Sequence, residues 1–385
     1  MKARTIILNL VAAALAAALA GLAAAHTGAI EEHPIPTTNA RPVSLVSGPD
    51  GALWFTEFAG NKIGRLTADG VFREYPIPTA AAQPDDMAVG PDGNLWFAET
   101  IGNKIGRITT EGVVDEFDGL PAGSRPTAVA AGPDGNVWFT ERALAAPSGR
   151  IGRITTAGAI TDYPLPSNGH PLTITAGPDG ALWFTESPGN RIGRIEPPSG
   201  AITEYPVLTT QSAPWEITTG PDGALWFTEL LGNKIGRITT DGVITEFPVP
   251  TPASQPNTIR PGPDPNPADD CAYQRDSLGE AGFATRYGTF GDCVSRLATT
   301  KTLWFSEQNA DRLAQITTDG DIFEYPLPTP HSQPGGLTQG PDGAVWFAEF
   351  AGNQIGRLHV KNVGKPAAPG TRSDDAPTES PTESP

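Results

Sequence analysis

Beyond the first 25 residues, apolar side chains do not recur at the three-to-four-residue interval of a surface helix. They form short runs, rich in aromatic and β-branched residues, that are cut by Gly, Pro, Asp and Asn. One unit shows the pattern. Pro42-Val43-Ser44-Leu45-Val46-Ser47 leads into the turn Gly48-Pro49-Asp50-Gly51, and Leu53-Trp54-Phe55-Thr56 follows. Asn61 to Thr67, an Asp69-Gly70 turn and Val71 to Pro78 complete it. Proline sets φ in the first turn, and the glycines can take the positive φ that closes each turn. Each unit therefore predicts four strands joined by turns.

The turn and the strand after it return at Gly90, Gly132, Gly177, Gly220 and Gly340, while a seventh copy is split between Gly262-Pro263-Asp264 and Leu303 to Glu307. Successive heads lie 42, 42, 45, 43, 42 and 78 residues apart, and removing a 36-residue insertion returns the last spacing to 42. Four-stranded units at this period predict an all-β, seven-bladed β-propeller. The last unit lacks its fourth strand after Leu358, yet a matching segment, Glu31 to Pro36, precedes every other strand. That N-terminal segment is expected to supply the outer strand of blade seven. A linear solenoid would instead leave an orphan strand at each end.

Three segments lie outside the ring. Residues 1–25 read as a secretory signal, with Lys2 and Arg4 before an apolar stretch and Ala23-Ala24-Ala25 at the cleavage point, against the alternative of a retained anchor. Residues 265–300 are the insertion, placed between the first and second strands of blade six. Residues 361–385, ending in Pro, Thr, Glu and Ser repeats, cannot bury a core and are expected to be disordered. Cys271 and Cys293 both fall in the insertion, and in an exported chain they read as a disulfide pinning that loop. Asp264, Asp269 and Asp270 near Asn266 lack the glycine and terminal glutamate of an EF-hand, so no metal ligands are assigned there. The net charge of −17 becomes −19 once Lys2 and Arg4 leave with the signal. So acidic a chain is not expected to bind nucleic acid or to enter a membrane after cleavage.

Near-identical units separate scaffold from site. Trp54, Trp96, Trp138, Trp183, Trp226, Trp304 and Trp346 recur at one position and are assigned to the core between blades. The glutamates three residues on, Glu57 through Glu349, also recur, and are expected to pair with basic residues such as the arginine of each Ile-Gly-Arg. Where the inner strands begin, just after their proline, the units disagree: Val43, Asp85, Thr127, Leu172, Trp215, Asn257 and Gly335. Trp215-Glu216 and Asp85-Asp86 are unmatched elsewhere. An aromatic beside carboxylates suits a cationic or ring-containing ligand; a tryptophan plugging the channel is the other reading. Asp85, Asp86, Thr127, Trp215, Glu216 and Asn257 are the ligand-binding candidates, and His170 and His331 are the candidate bases.

The unit Gly-Pro-Asp-Gly-x-Leu-Trp-Phe-Thr-Glu, then Asn-Lys-Ile-Gly-Arg-Ile-Thr and Ile-Thr-Glu-Tyr-Pro, resembles the virginiamycin B lyase (streptogramin lyase) family over residues 30–360 apart from the insertion. The resemblance implies a seven-bladed propeller and magnesium-dependent elimination that opens cyclic depsipeptides. It also implies Pro-His motifs at the inner strands of blades six and seven, with one histidine as base. Here those positions are Pro256-Asn257 and Pro334-Gly335. Gln333 and Phe350 stand where the family ties glutamates to Mg²⁺. No base or Mg²⁺ ligand is therefore inherited at these positions. The expectation is an exported, monomeric propeller that binds a cyclic or peptide-like small molecule at the channel mouth. The alternatives are a carbon–oxygen lyase with a relocated base, or an envelope protein-interaction platform built on the insertion.

Overall fold

The computed structural model describes residues 30–143, 149–167, 169–264 and 267–360. The signal at 1–25 and the tail at 361–385 lie outside the described residues, as do the side chains of Asp269 and Asp270.

Seven four-stranded antiparallel sheets form the ring. Blade one runs Pro42–Ser47, Leu53–Glu57, Lys62–Leu66 and Phe72–Pro76, from channel to rim. Blades two to six repeat that order, and blade seven is completed by Ile30–Pro34 pairing with Gln354–Leu358, from Ile30 opposite Leu358 to Pro34 opposite Gln354. The ring thus closes by the N-terminal outer strand.

Elementary packing explains why the motif recurs. The seven scaffold tryptophans are at most 1 % exposed. Each Trp Nε1–H of blades one to five and seven donates to the turn aspartate four residues earlier, as Trp54 does to Asp50 at 3.0 Å. A Cβ at Gly48 would lie 2.4 Å from the Trp54 ring, and one at Gly64 would lie 2.0 Å from Phe55. Both glycines are required by close approach. The Asn61 side chain reaches forward to the next blade, accepting from the Ala82 N–H at 2.6 Å and donating to the Thr79 carbonyl at 3.0 Å.

Two expectations are corrected. First, the arginines of Ile-Gly-Arg do not pair with the recurring glutamates. They pair with the turn aspartates, for example Arg65–Asp50 and Arg194–Asp179 at 2.7 Å, with Arg65 also lying over the Trp54 ring. The glutamates project to the other side of the strand, where all seven are fully buried. Second, helix occurs beyond the signal: the insertion folds as α1 (Pro267–Tyr287, kinked at Gly279) and α2 (Phe290–Leu297). In α1 the apolar residues mark no helical face, whereas Phe290, Cys293, Val294 and Leu297 of α2 do recur at helical spacing, but over only two turns. Cys271 and Cys293 are disulfide-bonded, and both pack with Phe283, Tyr287 and Leu297 against Trp304, Phe323 and Tyr325 of blade six.

The docked insertion also accounts for the irregular sequence of blade six. Arg286 and Arg296 converge on Asp321, which is 3 % exposed and occupies the place of the exposed Val71. Asp264 holds Lys301 at 2.7 Å and the Thr302 N–H at 3.1 Å. Strand direction puts this helical cap, with the Gly-Pro-Asp turns, on the face opposite the inner-strand starts.

Candidate functional site

Every inner strand carries a β-bulge at its start. In blade one Pro42 faces Glu57 and Leu45 faces Phe55, so Val43 and Ser44 together oppose the single residue Thr56; the same shift occurs in all seven blades. A bulge re-aims side chains that strict alternation would separate. Two successive positions can therefore serve the channel mouth. The residue opposite the bulge ties neighbours together: Thr56 Oγ1 accepts from the Ser44 N–H at 3.1 Å and donates to the Asp85 carbonyl at 2.7 Å. Thr185 and Thr228 make the corresponding bonds to the carbonyls of Trp215 and Asn257.

These bulges surround an open bowl of roughly 870 Å³ at the channel mouth. Asp85, Asp86, Thr127, Trp215, Glu216 and Asn257 all line it, with Trp215 half-buried. Thr127 is turned inward, its hydroxyl donating to the Leu172 carbonyl at 2.9 Å. Neither His170 nor His331 lines the bowl. His170 Nδ1 sits 2.5 Å from the Arg142 carbonyl oxygen, and His331 is exposed, with its backbone N–H donating to Asp311.

Sequence reasoning missed Arg260. It pairs with Glu216 and lies within electrostatic reach of Asp86, linking residues of blades five, six and two. Its signal was legible, because the matching positions hold Val46, Ala88, Ala130, Thr175, Thr218 and Thr338. Gln308 and Phe350, from the loops after the second strands, also line the bowl. The Asn257 side-chain amide donates to Gln308 Oε1 at 3.1 Å, and Arg41 lies 5.3 Å from the Phe350 ring centre.

The three acids differ in kind. Burial raises Asp86 despite the opposing pull of Arg260 and its hydrogen bonds from the Ser44 hydroxyl and the Val129 N–H. Burial also raises Glu216 against the pull of Arg260. Asp85 is pushed up to about 7 by burial and then by the adjacent Asp86 charge, with Arg142 opposing. The Thr100 hydroxyl also favours the ionised form, but it directs its proton to the Pro126 carbonyl at 2.8 Å. Neither Asp85 nor Asp86 has an ion-pair partner within 4 Å among the described residues, but Asp86 is held by the Ser44 hydroxyl and the Val129 N–H, whereas Asp85 is opposed by the charge of Arg142.

Magnesium chemistry of the kind the resemblance implies does not fit these residues. Asn257, Gly335 and Phe350 occupy the bowl at those positions, while Gln333 lies outside it. Among the described residues no group of three or more His, Cys, Asp or Glu side chains is placed to hold a metal ion. A hard cation needs several convergent oxygens.

The virginiamycin B lyase family model matches residues 16–119, 86–268 and 285–365. A crystal structure of virginiamycin B lyase from Staphylococcus aureus is 36 % identical, with TM-score 0.73, over 86 % of this chain and 99 % of that one. A catalytically inactive histidine-to-alanine variant of the S. aureus enzyme, crystallised with quinupristin, matches at 36 % identity and TM-score 0.72 over 86 % and 99 %. Hydrazine synthase from Kuenenia stuttgartiensis, at 14 % identity and TM-score 0.63 over 86 % and 98 %, shares the fold alone. No match was found among curated protein sequences.

Proposed function

The chain belongs to the virginiamycin B lyase family, and from that premise we propose that it is an exported propeller that binds a cyclic or peptide-like ligand in the bowl without the family's histidine chemistry. The observation that carries this reading is convergence. The positions at which the units disagree meet in one open bowl, where Trp215 offers a stacking face and Asp85 a carboxyl for a cationic group. The related S. aureus variant was crystallised with quinupristin. That pairing supports a ligand of the same class here. Export is supported by the leader-like residues 1–25 and by the Cys271–Cys293 disulfide.

Calorimetric titration of the purified chain with a streptogramin B is the test. Binding without ring opening is expected in the presence of Mg²⁺, and Trp215→Ala is expected to lower affinity at least tenfold with little change in Tm. Unchanged affinity in that variant, or no binding by the parent chain, overturns the reading.

A second reading, a carbon–oxygen lyase with a relocated base, is favoured by Asp85 alone among the bowl's groups. Its carboxylate would take the proton from the carbon beside a carbonyl. The C–H electron pair would become the new C=C bond, and the adjacent C–O bond would break with its pair leaving on oxygen. Ring opening that persists in EDTA and disappears in Asp85→Asn would establish this reading over the first.

A further inference from the structure

The seven buried glutamates each face a carboxyl from the outer strand of their blade: Glu57 faces Glu74, Glu99 faces Glu116, and Glu349 faces Glu32. In five blades a cation holds the outer carboxylate, namely Lys62–Glu74 at 2.7 Å, Lys104–Glu116 at 2.8 Å, Arg191–Glu204 at 3.8 Å, Lys234–Glu246 at 2.6 Å and Arg312–Glu324 at 2.9 Å. In blade three Arg150 takes the inner acid, Glu141, at 3.0 Å. Blade seven departs from all six: Gln354 stands at that place. Its amide is 3.4 Å from Glu349 Oε2 and brings no charge. Glu32 Oε2 accepts from the Thr329 hydroxyl at 2.8 Å, while Glu32 Oε1 and Glu349 Oε1 are buried without a hydrogen-bond partner.

Blade seven is also the blade whose outer strand is not tied to its neighbour by a turn. Ile30–Pro34 continues into blade one, and it meets Gln354–Leu358 only by pairing. We infer that a proton shared between Glu349 and Glu32 latches the closing strand to blade seven, so that this seam loosens as pH rises from mildly acidic to mildly alkaline.

The charges around the latch favour the protonated pair. Glu32 from the closing strand and Asp311 from blade six both act on Glu349, and both are acidic. His33 sits across the strand, stacked on Trp346 at 5.5 Å. Arg357, the cation of strand Gln354–Leu358, is engaged at the far end with Glu31 and Asp342. Burial, and then Glu32, push Glu349 from 4.5 up to about 8. The closed seam therefore keeps a proton that an opened strand releases. Its stabilisation is fully present below 4.5 and is lost as pH rises through about 8, by up to about tenfold in the closing equilibrium per pH unit within that window. Above that window the dependence is flat.

Hydrogen exchange of the purified chain at pH 5, 6.5 and 8, corrected for the intrinsic rate, tests this at residues 30–34 and 354–358. Protection there is expected to fall at least tenfold from pH 5 to pH 8 relative to Glu349→Gln, which donates to Glu32 without titrating. Glu32→Gln, which removes the neighbouring charge that raises Glu349, is expected to shrink the fall. The latch is overturned if the parent chain tracks Glu349→Gln at every pH. It is equally overturned if Glu32→Gln leaves the fall unchanged, and that variant decides alone should Glu349→Gln not fold.

Discussion

A carboxyl group in this ring behaves according to the face on which its strand presents it. Asp50 is held below the usual range: burial works against it, but the Trp54 N–H and the Arg65 guanidinium prevail. Glu57, seven residues later, is pushed up to about 7 by burial and then by Glu74. Asp85 reaches about 7 for a different reason, since it stands in the bowl beside Asp86. A cationic ligand requires ionised Asp85, so its affinity is expected to rise with pH up to about 7 and to level off above. The limiting slope is about tenfold per pH unit. Titration of the bowl with a cationic streptogramin at pH 5.5, 7 and 8.5 measures the slope, and Asp85→Asn is expected to abolish it. The place of Asp85 and Asp86 at the channel mouth was readable from their departure from the repeat. Their pKa values were not, because these depend on burial and on Arg142 and Arg260, which belong to other blades.

At the scale of the element, the inner strand and the insertion were legible to different degrees. Strand content and length follow from the aromatic and β-branched runs, but the bulge does not, since both of its residues vary between units. Only pairing to the second strand shows two residues opposite one. The insertion's helices were less legible: α1 shows no apolar face and α2 shows one over only two turns, and the two are held to each other through the Cys271–Cys293 disulfide and a core shared with blade six. Asp321 is the key to that docking. Asp321→Val restores the residue of blade one at this position but leaves Arg286 and Arg296 without their shared partner. Removing one member of such a cluster costs about 1–3 kcal/mol when the survivors remain partly solvated. Exchange protection of α1 and α2 is expected to fall, with protection of the inner strands unchanged.

Across the whole molecule, the buried acids set how stability follows pH. Glu57, Glu186 and Glu229 are raised to about 7, and Glu99, Glu307 and Glu349 to about 8, by burial first and then by the neighbouring acids. Groups with raised pKa values stabilise the fold below their ordinary value of 4.5 and lose that contribution as pH rises through 7 to 8. The lowered turn acids, Asp50, Asp92, Asp134, Asp179, Asp222 and Asp342, act in reverse, contributing above 3.8 and losing their effect in stronger acid. Thermal unfolding is accordingly expected to show its highest Tm near pH 4–5, with a decline toward pH 8. A Tm that increases over that range would contradict this assignment.

The sequence by itself determined the number of blades, the strand that closes them and the positions the scaffold leaves free. Those properties are repeated locally, and each copy carries its own turn, tryptophan and glycine contacts. The tertiary structure alone decided what meets across the ring: Arg260 between Glu216 and Asp86, the helical cap on Asp321, and the two carboxyls at the closing seam. Such encounters join residues tens to hundreds of positions apart, and a repeat of about 42 residues carries no record of them.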